Sequence, residues 1–120
     1  MTLFELTVRV ISGNQMNGRE HWRKRARRTA GERLVAKASM PYGITLPCRL
    51  RLTRIAPRPL DSHDNLRTGA KAFVDGICDK LGIKDNDPRI AFEYAQVRGK
   101  PHEYGLRVEL VRVEHCSGEP

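Results

Sequence analysis

Hydrophobic and polar residues alternate through the stretch from Leu3 to Ile11, with Leu6, Val8 and Val10 on one side and Glu5, Thr7 and Arg9 on the other. That two-residue period predicts a half-buried strand. Cys48 to Ile55 alternates again, with Cys48, Leu50 and Leu52 inward and Arg49 and Arg51 outward. Pro57 and Pro59 end this strand, because proline has no N–H to give to a ladder. Ile90 to Arg98 and Gly105 to Val113 read as two further strands, separated by a turn at Gly99 to Glu103.

Two segments change to a helical period. From Asp64 to Leu81 the apolar residues Leu66, Ala70, Phe73, Val74, Ile77 and Leu81 fall on one side, and Gly82 supplies a stop. The earlier segment opens with a basic run at Arg19 to Arg28. There Ala26, Ala30, Leu34 and Ala38 step by four and predict a helix with a small-residue packing face, ending before Pro41. Gly31 weakens that helix by about 1 kcal/mol relative to Ala. The predicted order is β-α-β-α-β-β, an α+β fold with two helices on a small mixed or antiparallel sheet. The 120 residues form a single domain, 1–120, with no repeat or internal linker and a loose tail at 115–120.

Composition narrows the partners. No apolar run approaches the eighteen or so residues of a membrane span, and the N-terminus is a strand pattern, unlike a signal peptide. The expected compartment is the cytoplasm, with no membrane partner. Cys48, Cys78 and Cys116 are far apart, and His21, His63, His102 and His115 lack zinc-ligand spacing. Two cysteines are expected as small apolar fillers and one as a tail thiol. The net charge of +8 and pI near 9.9 favour a polyanion such as nucleic acid.

Against this basic background, all six aspartates lie between Asp61 and Asp87. Turns and helix starts account for some of them. At about 100° per helical residue, Lys71 and Asp75 both fall within about 20° of Asp64 and opposite the apolar side. An i, i+4 ion pair of Lys71 with Asp75 on a solvated face, worth a few tenths of a kcal/mol, explains part of this stripe. The second explanation is chemical. Hard divalent cations take carboxylate oxygens together with water and phosphate. Such an ion generates hydroxide and stabilises a leaving oxygen, and Lys71 would offset charge growing on the phosphorus.

Three pieces of the chain, in order, resemble the RusA-type Holliday junction resolvases. They are Asp61-Ser62-His63-Asp64-Asn65-Leu66, Lys71 with Asp75 four residues later, and Asn86-Asp87-Pro88-Arg89-Ile90. The family has an Asp-x-Asp-Asn-Leu entry, a Lys and an Asp on the helix, and an Asp-Asp-x-Gln-Ile-like segment opening the next strand. The resemblance implies a Mg²⁺-dependent endodeoxyribonuclease, with Mn²⁺ the alternative ion and no small-molecule cofactor. It cuts four-way DNA in recombination and repair, in a bacterial or phage-infected cell.

By the same resemblance Asp64 and Asp87 are metal ligands, Lys71 is the essential lysine and Asp75 supports them. Lys71 stands three residues further from Asp64 than in the family, a shift of about 4.5 Å along a helix. That shift vanishes if Asp64 precedes the helix with Asn65 as its cap. The first family Asp has no direct match. Asp61 takes its place through a one-residue bulge, or His63 contributes, or the site is impaired and the chain only binds branched DNA. Asp79 and Asp85 match no role and read as surface residues.

The DNA-binding surface is expected on Arg19, Arg23, Lys24, Arg25, Arg27 and Arg28, where cations replace counterions on the phosphate backbone. Trp22 is either a core anchor or a base-stacking side chain. Arg49, Arg51 and Arg54 extend the patch if they share its face. A junction needs paired nicks in opposite strands, and one carboxylate cluster per chain then calls for a homodimer.

Overall fold

A computed structural model of the chain describes residues 1–11, 22–60 and 63–113, with 63, 64, 112 and 113 described in their backbone alone. Strand β1 (Thr2–Leu6), helix α1 (Trp22–Ser39), strand β2 (Cys48–Ala56), helix α2 (His63–Leu81), and strands β3 (Ile90–Arg98) and β4 (Gly105–Val113) follow one another in the predicted order. Arg19, Asp61 and the tail at 115–120 lie outside the described residues.

The four strands form one mixed sheet in the order β1-β4-β2-β3. β4 is antiparallel to both β1 and β2, whereas β2 and β3 run parallel. Parallel neighbours cannot be joined by a tight turn, so α2 serves as the crossover between them. The ladder of β1 stops at Leu6, whose partner is Leu106, because β4 begins at Gly105. Burial nonetheless keeps alternating as far as Val10, so the predicted period is right and its length as a paired strand is too long.

Register settles which side chains share a face. Cys48, Leu50, Leu52 and Arg54 stand beside Ile90, Phe92, Tyr94 and Gln96 of β3, with Leu110, Val108 and Leu106 across on β4. This face is the core, and α2 covers it with Ala70, Phe73, Val74 and Ile77. Each large apolar side chain fully buried there contributes about 1.5–3 kcal/mol. The opposite face carries Arg49, Arg51, Glu93 and Arg107. Arg49 and Arg51 both pair with Glu93, at 3.5 and 3.2 Å, and Arg107 pairs with Glu5 at 3.7 Å. Arg54 therefore does not share a face with Arg49 and Arg51.

α2 ends as predicted. Gly82 adopts φ +73°, its N–H donates to the Asp79 carbonyl at 3.3 Å, and the Ile83 N–H donates to the Cys78 carbonyl at 3.1 Å. This is a Schellman stop, in which glycine takes the left-handed conformation without a Cβ penalty.

α1 corrects the sequence reading. Ala26, Ala30 and Ala38 face solvent, and Leu34 is 67 % exposed, so the four-residue step marks the outer face. The inner stripe is Arg25, Arg28, Thr29, Glu32 and Ala36, and of these only Ala36 is fully buried. Long basic side chains cover apolar surface with their methylene stems, so a largely polar stripe can still pack. Thr29 Oγ1 donates to the Arg25 carbonyl at 3.0 Å, and Arg28 pairs with Glu32 at 3.3 Å. α1 meets α2 at Gly76, where an added Cβ would lie 2.9 Å from Ala36 Cβ and 3.0 Å from the Arg33 carbonyl carbon. Among the described residues no helix is long and apolar enough to cross a membrane.

Candidate active site

The polar stripe of α2 meets the loop that follows it. Lys71 Nζ donates to Asp75 Oδ1 at 2.8 Å and to Asp85 Oδ2 at 2.7 Å. The first contact is the i, i+4 pair that the spacing predicts. The second depends on residues 82–87 folding back along α2 after the Gly82 stop, which local spacing cannot reveal. The hydrogen bonds that Lys71 donates to Asp75 and then to Asp85 raise its pKa, and the bond received from Lys71 lowers that of Asp85. The ammonium is therefore firmly charged. An ammonium has three N–H donors, and among the described residues two are engaged, which leaves the third for an incoming anion.

Beside this triad lies a polar hollow of about 270 Å³, lined by Arg33, Asp75, Asp79, Lys84, Asp85 and Asn86. Arg33 of α1 closes one wall through a two-point bond to Asp79, Nε to Oδ2 at 2.6 Å and Nη2 to Oδ1 at 2.8 Å. Fork-to-fork pairing of this kind fixes geometry as well as charge. It raises the Arg33 pKa and lowers that of Asp79. Cys78 borders the hollow but is buried, and burial pushes its thiol up to about 11, too high for a thiolate nucleophile at neutral pH. Burial likewise raises the phenol of Tyr94, which lies within electrostatic reach of Lys71 and Asp85.

The expected site residues separate into three groups. Lys71 and Asp75 meet as expected. Asp85, which matches no family role, joins them, and Asp79 ties α1 to α2, so both do more than occupy surface. Asp87 turns the other way. Its Oδ1 accepts from the Arg89 backbone N–H at 2.8 Å and from Arg89 Nε at 3.0 Å, and its Oδ2 accepts from Arg89 Nη2 at 2.9 Å. The side-chain bond to Arg89, and then the backbone bond, lower its pKa to about 2.

Asp61 and the side chains of His63 and Asp64 lie outside the described residues. The backbone of α2 starts at His63, so Asn65 is inside the helix and not its cap. Asp64 and Lys71 are then separated by about 10 Å along the axis, and the three-residue shift from the family spacing stands. Among the described residues no group of three or more His, Cys, Asp or Glu is placed to hold a metal ion. Asp75 and Asp85 offer the hard oxygen donors that suit Mg²⁺, but both are engaged by one ammonium.

Of the expected DNA-binding residues, Arg23, Lys24 and Arg27 are exposed on α1, and Arg25 and Arg28 are half-buried on its inner stripe. Trp22 is 61 % exposed, with the Arg23 guanidinium 5.1 Å from its ring centre. It is not a core anchor. Compared with family models, curated proteins and solved structures, the chain matches none.

Proposed function

We propose that this chain is a structure-specific endodeoxyribonuclease that hydrolyses phosphodiesters at four-way DNA junctions with Mg²⁺, acting as a homodimer in recombination and repair. The observation that carries this reading is Lys71, a charged ammonium held by Asp75 and Asp85 on the polar face of α2, with one donor uncommitted among the described residues. A donor fixed in place before the reaction offsets charge growing on phosphate oxygens without reorganising. Asp64 and Asp87, with Asp61, are the residues that would hold the ion, which supplies an activated water and stabilises the leaving oxygen. Arg23, Lys24 and Arg27 offer exposed cations to the DNA backbone.

A second reading, binding of branched DNA without cleavage, is favoured by one observation: the Asp87 carboxylate is occupied by Arg89. A synthetic four-way junction separates the two. Paired nicks that need Mg²⁺, stop in EDTA and vanish in Asp64→Asn and Asp87→Asn support the nuclease. Lys71→Ala is expected to lose cleavage by a factor of 100 or more while binding falls only a few-fold, roughly the 2.7–4 kcal/mol of a lost transition-state donor. Binding without cleavage by the wild type and every variant leaves the second reading standing.

A further inference from the structure

Arg54 is a charged residue in the core face of the sheet, 93 % buried by its relative exposure of 7 %. Its partners are neutral. Nε donates to the Val10 carbonyl at 3.3 Å, and Nη1 to the Arg58 carbonyl at 2.8 Å and Gln96 Oε1 at 3.4 Å. Among the described residues no carboxylate reaches it. Buried charges are ordinarily paired, because removing one from water costs several kcal/mol. The surroundings add more positive charge. Burial and then the neighbouring Arg9 lower the Arg54 pKa. Arg9 itself lies 5.1 Å from the ring centre of Tyr104.

These groups enclose a hollow of about 150 Å³ lined by Arg9, Arg54, Pro57, Arg58 and Tyr104. At about 30 Å³ per water that is room for roughly five waters, enough for one tetrahedral oxyanion with part of its shell. Among the described residues the lining holds three arginines and no carboxylate, a concentration of positive charge that an anion would neutralise. Guanidinium forks match phosphate oxygens in particular. The hollow also adjoins the chain entering α2. Gln96 Oε1, which accepts from Arg54, also accepts from the Leu60 N–H at 2.8 Å, one residue before Asp61.

We infer that the hollow between Arg9, Arg54, Arg58 and Tyr104 is a phosphoryl-binding site, separate from Lys71 and its two carboxylates. Its ligand is a phosphoryl group, from either a nucleic-acid backbone or a free phosphate. Only the first source rests on the DNA reading proposed above. Arg54 serves as both brace and floor of the site, and Arg9 and Arg58 stand at its mouth.

The test uses the full chain in EDTA, so that cleavage plays no part. Inorganic phosphate is titrated at constant ionic strength while thermal unfolding is followed, for the wild type and for the double variant Arg9→Gln/Arg58→Gln. Both residues are exposed, so the variant folds without disturbing the core. The midpoint is expected to rise with phosphate in the wild type and to stay flat in the variant. No rise in the wild type, or an equal rise in the variant, overturns the inference. Junction binding as a function of salt then identifies the source. A log–log slope shallower by about 1 or more in the variant assigns a backbone phosphate. An unchanged slope alongside a lost phosphate response assigns a free phosphate. In a parallel assay with Mg²⁺ restored, loss of the phosphate response with junction cleavage intact, or the reverse, separates this inference from the nuclease proposal.

Discussion

The same substitution, Gly to Ala, is expected to act in opposite directions on the two helices that face each other. At Gly76 the new Cβ would lie 2.9 Å from Ala36 Cβ and closer still to the Arg33 carbonyl oxygen, both fixed parts of α1. Neither can swing away as a flexible side chain would, so α1 has to lift off α2. Overpacking of this kind costs about 1–3 kcal/mol, and backbone contact places it near 3. Ala regains about 1 kcal/mol through its better helix propensity, leaving a net loss of about 2. At Gly31 an added Cβ meets nothing within 4 Å, so only the propensity gain of about 1 kcal/mol remains. For a domain of this size each kcal/mol moves the midpoint by about 4 °C. Gly76→Ala should melt roughly 8 °C below the wild type and Gly31→Ala roughly 4 °C above it. Urea titrations followed by far-UV circular dichroism should show the same order with an unchanged slope. If Gly76→Ala proves as stable as Gly31→Ala, the helices do not meet at Gly76.

Asp87 should titrate near pH 2 by side-chain carboxyl NMR, and Arg89→Ala should return its midpoint toward 3.8. Because the folded value is depressed, the contribution of Asp87 to stability is present above pH 4 and is lost as the pH falls through about 2. A midpoint unmoved by Arg89→Ala would contradict the pairing. Cys48 and Cys78 are buried, and burial raises both thiols, Cys78 to about 11. A thiol reagent at pH 8, read out by peptide mapping, should therefore leave both unlabelled until denaturant is added. Labelling of either in the native protein would show that the core opens there.

Much of the fold is legible in the sequence because it depends on local periods. The apolar side of α2, its stop at Gly82, the inward set Cys48, Leu50 and Leu52, and the limits of β3 and β4 follow from two-residue and helical repeats. The packing face of the first helix is not legible in this way. Ala26, Ala30, Leu34 and Ala38 form the more apolar stripe, yet the inward side of α1 carries Arg25, Arg28, Thr29 and Ala36, with Ala36 against a glycine on α2. A stripe's apolar count does not say which side another helix can approach closely. The exposure of Trp22 depends on the same long-range information.

The pair of Lys71 with Asp75 follows from local spacing, since four residues along a helix bring two side chains to one face wherever that helix lies. That Asp85 reaches Lys71 and that Asp79 binds Arg33 depends on how distant parts of the chain pack together. Tertiary structure also decides that Asp87 turns to Arg89, and that Arg54 stands in the core while Arg49 and Arg51 face out with Glu93. Each of these depends on the path of a loop, on the approach of two helices, or on where a strand passes under the chain. Such long-range placements are settled by packing and by the need to satisfy buried polar groups, and no short window of residues encodes them.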